Sequence, residues 1–183
     1  MTDEELMAAY MAGDRDSFTI LFRRWAPRLH KFFLRSLGDA ASAEDLLQTT
    51  FVRIHQSRDT FRPGCPLKPW IFTVAARVRQ NELRRRRRLP ESAGEEALAA
   101  AEEQQADPAG PPERPDRDAA VREAIDRLPE SQRVVIHLSR LEQMTYAEIA
   151  EVLGTSEGAV KLRAFRAYER LRKALAALRE DAA

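Results

Sequence analysis

Cysteine is almost missing from this chain: Cys65 is the only one in 183 residues. A single thiol excludes intramolecular disulfides and any cysteine-based zinc site, and it suits a reducing compartment. Histidine is scarce as well. His30, His55 and His137 are scattered, so no metal centre is expected. Seven glycines and little β-branched alternation exclude a sheet-rich fold. No apolar run approaches the ~18 residues of a membrane span. The acidic start lacks the basic-then-apolar order of a secretion signal. Nor is there a nucleophile–base constellation, so the expectation is a protein that is not an enzyme and needs no cofactor or small-molecule substrate.

What the chain does have is helix-forming apolar residues and charge. Apolar residues make up 44% and charged residues 32%, enough for a core and for large solvated or ligand-facing surfaces. The formal net charge of +1 conceals a pattern. Residues 1–89 carry 17 basic and 10 acidic groups, residues 90–117 carry 2 and 8, and residues 118–183 carry 11 of each. The acidic middle holds five of the ten prolines, and its only apolar pattern is an Ala/Glu stretch near 95–105 that suits a transient helix. It is expected to be a linker between two small all-α domains, able to reach roughly 90 Å when extended.

In the first domain, Phe18, Leu21, Phe22, Trp25, Leu29, Phe32, Phe33 and Leu37 recur at helical spacing, and Gly38-Asp39 ends that helix. Ser42 is the expected cap of the next helix, which buries Leu47, Phe51 and Ile54 and turns Asp45, Gln48, Thr49 and Arg53 outward. A proline-stiffened loop over residues 62–69 leads into a third helix with an apolar stripe of Ile71, Val74, Ala75 and Val78. Thr73, Arg77, Gln80, Asn81 and Arg84 fall on another face of it. Guanidinium and carboxamide groups so aligned suit base edges and phosphates, although a solvated helix face has the same pattern. Five consecutive arginines, Arg84 to Arg88, favour nucleic acid. Trp70 is expected in the core, while Phe72 fits either the core or an unpaired base.

The second domain reads as a helix-turn-helix. After Leu128-Pro129, Val134, Val135, Leu138 and Leu141 form one apolar stripe. Thr145 and Glu148 make a capping box, and Gly154 turns the chain into a last helix that starts at Ser156. Val160, Ala164, Ala167 and Leu171 point inward there. Lys161, Arg163, Arg166, Arg170, Arg172 and Lys173 surround the rest. Leu162 and Phe165 face away from the core, suited to a thymine methyl in the major groove, to another domain, or to ordinary exposure.

These residues together resemble a bacterial RNA polymerase sigma factor of the extracytoplasmic-function (ECF) group. Ala43-Glu-Asp-Leu-Leu-Gln-Thr-Thr-Phe51 is similar to the segment that docks on the coiled coil of the polymerase β′ clamp. Trp70-Ile-Phe-Thr-Val-Ala-Ala76 with the arginine run resembles the helix that melts and reads the −10 element. Leu128-Pro-Glu-Ser-Gln-Arg-Val-Val135, Tyr146-Ala-Glu-Ile-Ala-Glu-Val-Leu-Gly154 and Gly158-Ala-Val-Lys161 resemble the domain that reads the −35 element. The resemblance implies polymerase contact through Asp45, Gln48, Thr49 and Arg53. It implies −10 contact through Arg62, Leu67, Lys68, Trp70, Thr73, Arg77, Gln80, Asn81, Arg84 and Arg85. For the −35 element it implies Ser156, Lys161, Leu162, Arg163, Phe165, Arg166 and Arg170. It also implies a β-flap contact, an anti-sigma partner, a monomeric free state and a cytoplasmic location.

Four positions depart from the family pattern. Thr49 stands where an acidic residue is usual, Arg77 replaces a frequent asparagine, Leu67 an aromatic and Leu162 a serine. The competing reading is a free-standing helix-turn-helix regulator with an N-terminal dimerisation or sensing module, for which a stable dimer in sedimentation without polymerase would speak. Because the linker's charge opposes that of Arg84 to Arg88, deleting residues 91–103 is expected to raise the free protein's affinity for DNA at low salt, measured by fluorescence anisotropy. An unchanged affinity would show that the linker does not mask these arginines.

Overall fold

The structure, a computed structural model, describes residues 1–88 and 117–180. The linker, with its Ala/Glu stretch, lies outside the described residues apart from its last position, Arg117. Among the described residues all regular structure is helical, in keeping with the sequence.

Capping residues set the start of each of the first three helices. In α1 (Asp3–Met11), the Thr2 hydroxyl accepts the Glu5 N–H at 3.2 Å and the Glu5 carboxylate accepts the Thr2 N–H at 2.7 Å. Asp14 caps α2 (Arg15–Leu37), which stops at Gly38 in the left-handed conformation, φ 73°. The cap of α3 (Ala40–Ser57) is Asp39, which accepts the N–H groups of Ala41 and Ser42. This corrects the expected cap at Ser42. The two carboxylate oxygens of Asp39, three residues earlier, reach both orphan donors, and the Ser42 hydroxyl itself donates to Asp39.

The long helix α4 (Leu67–Arg88) begins sooner than the prolines suggest. Pro69 sits in its first turn, where a missing N–H costs nothing, so the loop covers only residues 62–66. Trp25, Leu29, Phe32 and Phe33 of α2 pack with Leu47, Phe51 and Ile54 of α3 and with Leu67, Ile71 and Phe72 of α4. Phe72 is fully buried, edge-on to Phe32 at 5.5 Å and to Trp25 at 6.1 Å, which settles it as a core residue. Burial of each such side chain contributes roughly 1.5–3 kcal/mol. Trp70, expected inside, is only half-buried against the Phe61 ring. Phe22 lies at the edge of its stripe and is partly exposed, its ring 4.5 Å from that of Phe51.

The second unit comprises α5 (Arg117–Asp126), α6 (Glu130–Ile136), a π-helical turn (His137–Leu141), α7 (Tyr146–Leu153) and α8 (Glu157–Glu180). Its core joins Val134, Val135, Leu138, Ile149, Val152, Val160 and Ala164. The capping box at Thr145 and the left-handed Gly154 (φ 62°) form as the sequence predicts. Leu141 does not join the core; it is exposed. In the π turn the Glu142 N–H donates to the His137 carbonyl, five residues back, at 3.3 Å, and the wider turn carries Leu141 off the 3.6-residue stripe.

The two units also meet directly, α4 against α7 and α2 against α6. Glu142, 6% exposed, lies in this seam paired with Arg28, whose Nε donates to Oε2 at 3.1 Å. The Lys68 Nζ donates to the Glu142 carbonyl at 2.8 Å. Arg79, which the sequence reading passed over, is buried and paired with Glu130, and it donates to the Ser36 hydroxyl at 3.1 Å. Burial, with Arg133 nearby, pushes its pKa down to about 10.

His137 also lies in the seam. Its buried ring stands edge-on to Phe32 at 5.4 Å, and neither ring nitrogen has a hydrogen-bond partner among the described residues. Burial, reinforced by the charge of Arg35, lowers its pKa to about 4. The Glu142 carboxylate, 3.8 Å away, is already engaged by Arg28 and does not offset this. The folded protein therefore refuses a proton that the unfolded chain accepts near pH 6.5. The resulting stability is fully present above pH 6.5 and drains away as the pH falls toward 4, by at most about 1.4 kcal/mol per pH unit. Urea unfolding measured between pH 7 and 4.5 should show this decline, and His137→Phe should flatten it.

Candidate nucleic-acid interface

Helix α4 buries one side and leaves the other bare. Ile71, Phe72, Ala75, Ala76, Val78 and Arg79 face the core or the seam. Arg77, Gln80, Asn81 and Arg84 are exposed, and none of their side chains makes a hydrogen bond or ion pair with another described residue. Free guanidinium and carboxamide groups along one helix face offer donors in the fork geometry that phosphates and base edges accept. Exposed Arg62 stands in the preceding loop, its side chain likewise without a partner among the described residues.

The remaining residues of the expected −10 set are placed differently. Leu67 is fully buried and is the first residue of α4, its N–H donating to Glu4 Oε1 at 3.0 Å. It is a core residue, which corrects its expected place in the proline-stiffened loop and as a −10 contact: the helix starts early enough to draw it inside. The Lys68 ammonium is committed to the seam. The Thr73 hydroxyl donates to the Pro69 carbonyl at 2.8 Å. Arg85 is held by Glu82 through two bonds of 2.7 and 2.8 Å, and Arg86 also reaches Glu82 at 2.9 Å. These arginine bonds hold the Glu82 carboxyl below the usual range. The run of five arginines is thus tempered by one carboxylate a turn upstream, which the run itself hides from a sequence reading.

On α3, Asp45, Gln48, Thr49 and Arg53 are all exposed. Gln48 bonds Glu44 at 3.3 Å and Arg53 bonds Gln56 at 3.2 Å, both along the helix surface. Between them stands Val52, 53% exposed, which the sequence reading missed. Its position, one turn after Gln48 and Thr49, was the signal: an apolar residue centred in a polar stripe.

The last helix shows the same division. Val160, Ala164 and Ala167 are buried. The Ser156 hydroxyl accepts the Ala159 N–H at 3.2 Å and so serves as the cap. Lys161 pairs with Glu157 at 2.8 Å. Exposed Arg166 and half-buried Arg163 and Arg170 have no partner among the described residues. Leu162 and Phe165 are 50% and 63% exposed. Gly158 lies on that same outward face, and a Cβ there would meet nothing nearer than the Ser156 hydroxyl at 4.0 Å. Packing within the protein does not require this glycine, and the helix backbone is bare there.

Comparison with known proteins places both faces in context. The family model for Sigma-70 region 2 matches residues 21–89, and that for Sigma-70 region 4 matches residues 118–181. Over 97% of this chain and 99% of its own length, the RNA polymerase sigma factor CarQ of Myxococcus xanthus is 35% identical. The ECF RNA polymerase sigma factor SigM of Mycobacterium tuberculosis (strain ATCC 25618 / H37Rv) is 31% identical over 95% of this chain and 85% of its own. Among solved structures, CnrH in complex with the cytosolic domain of CnrY superimposes with a TM-score of 0.66 at 28% identity, covering 96% of this chain and 97% of that one.

The glycine on α8 can be tested without knowing a target sequence. Gly158→Ala should stabilise the helix by about 0.5–1 kcal/mol and raise the thermal midpoint. If the face carrying Gly158 is the one that meets duplex DNA, the same change should weaken binding, measured by anisotropy, because the added methyl group holds the helix backbone away.

Proposed function

Because the chain belongs to the ECF group of RNA polymerase sigma factors, we propose that its bare helix faces divide the work of promoter recognition among themselves. The protein binds core RNA polymerase and directs initiation at particular promoters. Residues 1–89 dock on the β′ clamp through Asp45, Gln48, Thr49 and Arg53, with Val52 as an apolar anchor among them. Arg62, Arg77, Gln80, Asn81 and Arg84 hold the opened −10 strand, and half-buried Trp70 and exposed Arg85 border that track. Residues 118–183 read the −35 duplex through the face carrying Lys161, Leu162, Phe165 and Arg166, with Arg163 and Arg170 on its flank and Ser156 at its tip. The β flap is a second polymerase contact. The chemistry of RNA synthesis is left to the polymerase, since this chain offers donors and cations for holding DNA. No regulator with a separate dimerisation module is needed to account for two sigma regions in their usual order.

The observation that carries this reading is that both helices bury one side and keep unpaired guanidinium groups on the other. Their joint use imposes a geometric condition. Centres of elements at −10 and −35 lie about 25 base pairs apart, roughly 85 Å along B-DNA. A folded body of this size is about 40 Å across. The seam must therefore open in the holoenzyme, and residues 90–117 supply the reach. An anti-sigma protein holding the closed arrangement is the matching inhibitory partner, and both act in the cytoplasm, the free chain being a monomer. Among the described residues, no helix is long and apolar enough to cross a membrane.

Run-off transcription with purified core polymerase on genomic fragments should give new start sites only when this chain is added. Val52→Glu should lower affinity for the core at least tenfold while leaving the far-ultraviolet spectrum unchanged. Failure of the core either to bind the chain or to start anywhere new would overturn the reading.

A further inference from the structure

Leu162 and Phe165 are three residues apart on α8, so their side chains are neighbours on the helix surface. They are 50% and 63% exposed. The contact between the two units does not cover them, since α7 rather than this face of α8 packs on α4. Docking of the partner domain, one use open to such a pair, is thereby spoken for elsewhere. Around them the surface is cationic: Lys161 on one flank, Arg166 and Arg163 on the other. Gly158 extends their face toward the helix start with no side chain at all.

A macromolecule that approaches this face must be anionic at its edges and carry small apolar groups at its centre. It must also let a helix backbone come close. Duplex DNA meets all three conditions only where thymine presents its C5 methyl group in the major groove. We propose that Leu162 and Phe165 form a methyl-reading pair that selects thymine at one or two positions beside the base pair contacted by Arg166. This rests on the sigma-factor reading and deepens it: the upstream element is chosen partly by apolar contact with methyl groups, with the arginines supplying position and the remaining base contacts.

The test removes the methyl and nothing else. Holoenzyme made with the full chain is used to select bound duplexes from a library randomised over the upstream element. Each thymine of the selected element is then replaced by deoxyuridine, which keeps every hydrogen-bonding group. The expected result is a loss of affinity of about fourfold per methyl at one or two positions, the factor for burying one CH2-sized group. Leu162→Ala and Phe165→Ala, exposed substitutions that leave the core intact, should lower affinity for the thymine duplex to that for its deoxyuridine counterpart and abolish the difference between them. A neutral response to deoxyuridine at every thymine, an undiminished difference in both variants, or a selected element without thymine would overturn the proposal. A core polymerase that never holds the chain would instead defeat the sigma-factor reading, at a step before any base is read.

Discussion

A carboxylate that is nearly removed from water must be neutralised where it stands, and Glu142 meets that demand only across the boundary between the two units. Its partner Arg28 comes from α2, and the ammonium on its carbonyl comes from Lys68 of α4. Arg79 and Glu130 repeat the arrangement further along. Desolvation largely cancels the attraction in such pairs, so they fix how the units meet more than they deepen the minimum. Buried apolar side chains of the two units join in one cluster across the seam, and the charged pairs among them select one definite pose for that contact.

The same economy of burial produces both bare, cation-bearing helix faces. α4 and α8 each give the core a stripe of small and aliphatic side chains and keep the opposite arc for cations and amides. Because the inner stripe fixes the rotation of each helix, the outer residues need no bonds of their own to be held in place. That is why Arg77, Arg84 and Arg166 can stay unpaired within the protein. Their hydrogen-bonding capacity is kept for a partner, at the entropic cost of leaving long side chains loose until that partner arrives.

Much of this was legible from periodicity and punctuation. The apolar spacing in α2 and α8, the capping box at Thr145 and the glycine stops at Gly38 and Gly154 depend on neighbours within a turn, and local chemistry decided them. The outward positions of Asp45, Gln48, Arg77, Leu162 and Phe165 followed from the same periods. What escaped depends on residues far apart in sequence. Leu67 looked like loop because three prolines surround it, yet it is drawn inside by packing in the buried apolar cluster and by an N–H bond to Glu4, 63 residues away. Arg79 read as one more polar residue until Glu130, from the other unit, covered it. Leu141 failed for a third reason: a period of 3.6 cannot foresee a turn that holds an additional residue.

That wide turn between α6 and α7 sets the angular phase of the chain that follows it. An ordinary α-turn would have one residue fewer between His137 and Glu142, and each residue of a helix accounts for about 100° of rotation. Loss of a single position there, the exposed Leu141 for instance, would swing the carboxylate roughly a quarter-turn away from the guanidinium it now meets. Fold and charge would survive such a deletion nearly unaltered, while the two halves of the molecule would no longer recognise one another.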